Sequence, residues 1–187
     1  MAFELPSKLV NGVRGGIKGP LEGAADVGST ALNAVKKLTV DTVKGTGEFV
    51  TAGIRVPASV VSGAISGVSD IGVAVVKAVK GVVSGAIQGA MESGIEQKDA
   101  VKGSVAQAVL SAKDLGLDVV DVAVEAVQGA VAGVAQVGGD TVSATKNSVL
   151  SAFEAAKEIS EEVANSVKSA LKESVDGAKD IFGEIRE

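Results

Sequence analysis

The apolar positions of the chain recur at steps of four and three residues, a spacing that places side chains on one face of an α-helix. In the last third, Val149, Phe153 and Ala156 begin a series that repeats every 11 residues and continues to Phe182. An 11-residue repeat corresponds to three helical turns at about 3.67 residues per turn. The sequence therefore predicts an all-α protein that maintains one apolar stripe.

A single register of this repeat can be followed through most of the sequence, and Lys98 is the residue that departs from it. A weaker 22-residue alternation is superimposed on it, in which Val61, Gly72, Val83 and Gly94 begin a series that runs to Val149. The predicted stripe consists of Leu32, Val43, Ile54, Ile65, Val76, Ile87, Val109, Val120, Val131, Val142 and Phe153.

The charged residues follow the same period. Acidic residues lie opposite the stripe on a helical projection, whereas lysines flank one of its edges. If the stripe lay on lipid, these lysines could contact phosphates while their methylene groups remained in the interface. The predicted basic edge consists of Lys80, Lys102, Lys113, Lys146, Lys157, Lys168 and Lys179.

The phase of the repeat is held from near Arg14 to the C-terminus. Loops of arbitrary length would shift the phase, so a constant register predicts either one very long helix or a few helices of about 40 residues. A continuous helix would extend about 250 Å, too long for a compact monomer. A hairpin or four-helix arrangement with phase-preserving turns remains an alternative, whereas a compact α/β domain is not expected.

This interpretation divides the chain into an N-terminal segment, residues 1–16, and a continuous 11-residue-repeat helical region, residues 17–187. The expected breaks lie near Pro57, at 93–99 and at the paired glycines 138–139. Proline in a helix interior costs about 3 kcal/mol, and paired glycines weaken a helix.

Small side chains dominate the apolar fraction. The sequence has 33 Val and 28 Ala against 10 Leu, 9 Ile and 4 Phe, together with 24 Gly. Glycine costs about 1 kcal/mol relative to alanine in a helix, so an isolated helix of this composition is marginal in water. Either a lipid–water interface covers the stripe, or neighbouring helices approach closely along the Gly/Ala rows.

The repeat resembles the 11-residue amphipathic repeats of synucleins, perilipins and exchangeable apolipoproteins. The segments that carry the resemblance most clearly are 43–48, VKGTGE, and 130–139, AVAGVAQVGG. The resemblance is one of pattern and composition and extends over most of the chain. It implies reversible coating of a lipid surface or droplet, without catalysis.

Composition excludes most catalytic chemistry. The chain has no His, Cys, Trp or Tyr, which removes imidazole bases, thiolate nucleophiles and the usual zinc sites. The spacing of Gly63 and Gly67 is not followed by the Gly-Lys-Ser/Thr of a phosphate loop. With 18 basic and 23 acidic residues and few aromatics, nucleic-acid binding is disfavoured. We expect no enzyme, no cofactor, no metal and no small-molecule substrate.

Two functional hypotheses follow. In the first, the chain is a non-enzymatic amphipathic-helical protein that coats a lipid, membrane or droplet surface through its stripe. In the alternative, it is a structural homo-oligomer, a bundle, filament or shell packed along the Gly/Ala rows. The start of the sequence lacks signal-peptide features, so we expect an intracellular location, peripheral on a membrane or lipid droplet, or a cytoplasmic assembly.

Overall fold

The computed structural model describes residues 6–46 and 53–185. Within these ranges the chain forms short α-helices joined by turns. Residues 1–5, 47–52 and 186–187, which belong to the predicted segments 1–16 and 17–187, lie outside the described residues. The helices are α1 (Ser7–Leu21), α2 (Val27–Thr46), α3 (Arg55–Asp70), α4 (Val75–Glu92), α5 (Gln97–Asp114), α6 (Val119–Gln136), α7 (Thr141–Ile159), α8 (Glu161–Ser174) and α9 (Ala178–Glu184).

The central part of the chain is built from a 22-residue unit. Helices α4 to α7 begin at Val75, Gln97, Val119 and Thr141, which are 22 residues apart. Helices α4, α5 and α6 each contain 18 residues, and four residues connect each helix to the next. A helix and its connection therefore make one unit, and two units make one helical hairpin.

A glycine in the left-handed conformation follows each of the helices α3, α4, α5 and α6. After α4, Gly94 has φ 94° and donates its N–H to the carbonyl of Met91 at 3.1 Å. The N–H of Ile95 then reaches back to the carbonyl of Ala90 at 3.0 Å. Together these bonds form a Schellman motif, in which glycine avoids the steric cost that a side chain would bring. Positive φ recurs at Gly72, Gly116 and Gly138.

The helices alternate between two layers. Helices α1, α3, α5 and α7 follow one another in the first layer, and α2, α4, α6 and α8 form the second. Each helix packs against the helix two places along the chain, which lies in the same layer, and against its sequence neighbours, which lie in the other layer. The short helix α9 packs on α7 and α8. This is the arrangement of a helical-repeat solenoid.

The core is contiguous from Val13 to Phe182 and is composed mainly of valine and alanine. Larger side chains are fully buried at a few points, including Ile65, Ile87 and Leu171. Because the side chains are small, the helices must lie close together for the interior to reach the density of a protein core.

Glycine rows provide that close approach within each layer. A methyl group built at Gly129 of α6 would lie 2.5 Å from the carbonyl oxygen of Lys80 in α4. One built at Gly133 would lie 2.9 Å from the carbonyl oxygen of Ser84. The same kind of contact joins α3 to α1, α4 to α2, and α5 to the residue before α3, through Gly63, Gly67, Gly81, Gly85, Gly89 and Gly103.

The prediction of one very long helix, or of a few helices of about 40 residues, is wrong. The chain is all-α, but its helices are short and are stacked as repeats. Between α3 and α7 the phase of the 11-residue pattern survives each loop because the 22-residue unit is two of its periods. In this part of the chain the maintained register reflects loops of constant length rather than an unbroken helix.

The break expected near Pro57 falls at the start of a helix, since α3 begins at Arg55. Pro57 is the third residue of α3, in the first turn, where a missing N–H costs little. Gly15 and Gly16 lie in the middle of α1, which continues to Leu21. The interruptions between α4 and α7 are the connections 93–96, 115–118 and 137–140, of which the first and the last overlap the expected breaks at 93–99 and 138–139.

Replacing Gly129 with alanine should lower the free energy of unfolding by about 1–3 kcal/mol, because the added methyl group overpacks the α4–α6 contact. Replacing Gly15 with alanine should raise it by up to about 1 kcal/mol, because the position is helical and open. Nothing lies within 4 Å of a methyl group built at Gly15. Urea unfolding followed by circular dichroism measures both changes, and an equal response of the two variants would contradict the glycine-packing account.

Candidate interaction surfaces

The structure places most of the predicted stripe inside the protein. Val43, Ile65, Ile87 and Val109 are fully buried. Six further residues are partly buried. Val142 differs from the rest because 80% of it is exposed. The partly buried members are Leu32, Ile54, Val76, Val120, Val131 and Phe153.

The predicted basic edge is not a continuous surface, because its members are distributed over helices of both layers. Lys146 forms an ion pair with Glu184 of α9 at 3.2 Å. Lys102 and Lys168 are partly buried. The remaining members are exposed: Lys80, Lys113, Lys157 and Lys179.

Ion pairs tie same-layer helices together at the N-terminal end. Arg14 of α1 donates through Nε and Nη2 to the carboxylate of Asp70 at the end of α3, at 2.6 and 2.7 Å. Lys18 adds a contact of 2.9 Å to the same carboxylate. Hydrogen bonds from both cations hold the pKa of Asp70 well below its usual range. In the other layer, Lys36 and Glu92 link α2 to α4 at 2.9 Å.

Aspartates that cap helices also have lowered pKa values. Asp140 precedes α7 and accepts hydrogen bonds from the Ser143 hydroxyl at 2.7 Å and from its backbone N–H at 3.1 Å. These bonds, the hydroxyl bond first, lower the pKa of Asp140. Asp26 makes the equivalent contacts with Ser29 ahead of α2, and its pKa is lowered for the same reason.

The C-terminal end is closed by an aromatic pair instead of glycine contacts. The rings of Phe153 in α7 and Phe182 in α9 meet edge to face, with centroids 5.4 Å apart. The ammonium of Lys168 in α8 lies 5.5 Å from the Phe182 ring centroid and 5.9 Å from that of Phe153. These cation–π contacts hold α7, α8 and α9 together.

A groove of about 400 Å³ lies beside this cluster, between the start of α7 and α9. Val142 and Ile181 supply its apolar side chains. Asp176, Asp180 and Glu184 lie at its margin on the side of α9. The groove is therefore lined by two apolar side chains and three carboxylates, and Lys146 is the basic residue that lines it.

A second groove of about 280 Å³ crosses α2, α4 and α6. Small residues of α4, Gly81 and Ser84, lie between Leu32 of α2 and Ala132 of α6. Its charged residues have both signs, which gives it no preference for a cationic or anionic ligand. These residues are Asp26, Lys77, Lys80 and Glu125.

No group of three or more acidic side chains in the described ranges is arranged to hold a metal ion. Helix α6 has the length and composition of a membrane span. In this fold it packs against α4, α5, α7 and α8, and core helices of water-soluble proteins pass the same test.

The sequence matches no protein-family model and no curated protein. The structure is similar to the crystal structure of a de novo designed helical repeat protein. The TM-score is 0.57 with 20% sequence identity, over 96% of this chain and 100% of the designed one. At this level of identity the likeness concerns the fold alone, which is that of a helical repeat protein.

This similarity overturns the resemblance to synucleins, perilipins and exchangeable apolipoproteins. A stack of short helices accounts for the same apolar pattern through a buried core. Sequence reasoning missed the folding unit, although its signal was present in Gly72, Gly94, Gly116 and Gly138. Those glycines recur every 22 residues and mark the helix ends.

The lowered pKa values of Asp26, Asp70 and Asp140 predict loss of stability in acid. Each folded-state pKa lies below its unfolded value, so their contribution is complete above about pH 4 and disappears as the pH falls through the folded values. Replacing Asp140 with asparagine keeps an N-cap acceptor but removes the titrating group. The urea midpoint of D140N should therefore fall less steeply with acidification than that of the wild type. Glu154→Gln, at an exposed position in α7, is the control, and an unchanged slope in D140N would contradict the assignment.

Proposed function

We propose that this chain is a non-enzymatic, structural helical-repeat protein that acts through its surface as a scaffold. The observation that carries the proposal is the use of the apolar stripe as an internal core between two helix layers. A rigid array of this kind presents extended surfaces on which partners can be held.

Burial of the stripe favours this function over the coating of lipid. A helix that lies on a lipid surface needs one continuous apolar face available to the bilayer. Here Ile65, Ile87 and Val109 are fully buried against other helices. Presenting them to lipid would require separation of the layers, at the cost of the core contacts. Lipid coating remains a prediction that the vesicle experiment below tests.

The partner class that we propose is further copies of the same chain, which is the alternative hypothesis drawn from the sequence. Glycine rows already join successive helices of each layer. An exposed row with the same spacing can accept another helix in the same manner. Gly15 and Gly19 of α1 form such a row, since a methyl group at either position meets nothing within 4 Å.

Substitutions at two valines of the same register distinguish the scaffold function from lipid coating. Val109 is fully buried, whereas Val142, 33 residues later, is 80% exposed. In a folded scaffold, Val109→Asp buries an unpaired charge and should lower stability by roughly 3–5 kcal/mol. Val142→Asp should leave the fold intact, because the new carboxylate is exposed in the first turn of α7. A lipid-facing stripe instead predicts equal losses of vesicle binding in the two variants.

Circular dichroism with and without vesicles of phosphatidylcholine, alone or mixed with phosphatidylglycerol, measures the difference. We expect a helical spectrum and cooperative unfolding in buffer, both unchanged by either vesicle, and no flotation of the protein with lipid. A coil in buffer that becomes helical only on vesicles would overturn the scaffold proposal.

A further inference from the structure

The short helix α9 packs on α7 and covers the C-terminal end of the first layer only in part. Val142 of α7 holds the register position of Ile54, the residue before α3. The carbonyl oxygen of Ile54 would lie 2.5 Å from a methyl group built at Gly103 of α5. Val142 is 80% exposed, and the groove of about 400 Å³ lies between it and α9. The groove therefore leaves the start of α7 accessible to a helix of another molecule.

The opposite end of the same layer carries an unused docking row. Gly63 and Gly67 of α3 contact the backbone of α1 at Val10 and Arg14. Gly15 and Gly19 lie 48 residues earlier in the sequence. They correspond to the glycines through which α3 contacts α1, and in α1 they are exposed.

The glycine contacts show that equivalent residues of α1 and α3 are 48 residues apart in the sequence. Gly85 of α4 contacts Leu32, 53 residues earlier, whereas Gly129 of α6 contacts Lys80, 49 residues earlier. The first helices are thus displaced by four residues relative to the later repeats. Equivalent positions of the later repeats are 44 residues apart, which is the length of one hairpin, and the displacement increases this separation to 48 residues for α1. Gly15 and Gly19 are therefore the equivalents of Gly63 and Gly67.

In the second layer, the outer face of α2 has polar side chains in place of a glycine row. The residues 48 positions before Gly81, Gly85 and Gly89 are polar residues of α2. The polar residues there are Asn33, Lys37 and Asp41, which are exposed, and Lys37 pairs with Asp41 at 2.7 Å. The contrast confines the open docking row to α1.

The two ends have opposite charge. Residues 7–46, which form α1 and α2, contain six basic and three acidic side chains. Residues 161–185, which form α8 and α9, contain three basic and six acidic side chains. Helix α1 itself has three basic residues and no acidic residue, and two of the three pair with Asp70 of α3. Asp176, Asp180 and Glu184 line the groove, where Glu184 pairs with Lys146. Such complementarity favours an ordered encounter between unlike ends.

We propose that this chain assembles head to tail, with α1 of one copy seated against the α7–α9 groove of another. This inference rests on the structural function proposed above and names its interface. Each contact joins two different surfaces, so the association is heterologous and can continue into an open chain of copies.

Sedimentation velocity of the full chain, at a series of concentrations and at low and high salt, tests the assembly. We expect oligomers that increase with concentration and decrease in high salt, which screens attraction between the ends. The double variant Gly15→Leu with Gly19→Leu blocks one end, and Val142→Arg, which places a larger cationic side chain against the basic α1, blocks the other. Each variant alone should be monomeric, whereas an equimolar mixture should form a dimer and no larger species, because one intact interface remains.

The controls separate failure of this inference from failure of the scaffold function. Circular dichroism must show that both variants are helical, as expected for changes at exposed positions. Ala135→Leu, at an exposed position of α6, should assemble like the wild type. A helical wild type that is monomeric at every concentration, or a mixture that forms no dimer, overturns the head-to-tail interface and leaves the scaffold proposal standing. A wild-type coil in buffer overturns both.

Discussion

Close approach of helices within a layer, with glycine of one helix against a backbone carbonyl of another, is the contact on which this structure depends. At Gly129 and Gly133 the neighbouring carbonyl oxygens leave no room for a methyl group. Helices at this separation can exchange weak Cα–H···O contacts, and their backbones themselves form part of the packing. Small side chains are then sufficient to fill the core, which explains a chain rich in valine and alanine.

The helical character and the spacing of apolar residues were predictable from the sequence, but the length of the helices and their 22-residue unit were not. An apolar pattern records the angle of each side chain around a helix axis and contains no information on whether that axis is continuous. Loop chemistry supplies the missing information. Gly116 and Gly138 are each followed two residues later by aspartate, and Asp118 and Asp140 accept hydrogen bonds from the next helix. Glycine followed by an N-cap residue marks a helix end and a new start.

The candidate interface was less predictable than the fold. Val109 and Val142 share one register, yet Val109 lies in the middle of α5 and is buried, whereas Val142 lies in the first turn of α7 and is exposed. Register alone does not distinguish the middle of a helix from its first turn. The sequence does mark the end at Ser160, which stands 22 residues after Gly138 where another glycine is expected. Ser160 has an extended backbone with φ −170°, and α8 begins at the next residue.

In a helical-repeat protein, each unit gains stability chiefly from its immediate neighbours, so terminal units have half the support of internal ones. The C-terminal end compensates with Phe153 and Phe182, whose rings pack where glycine contacts are absent. The N-terminal end has no aromatic pair in the described residues, and α1 is held by the glycines of α3 and by Asp70. A second copy placed on Gly15 and Gly19 would give α1 the neighbour that α3 and α5 already have. End-to-end stacking therefore extends the same contact that folds the chain.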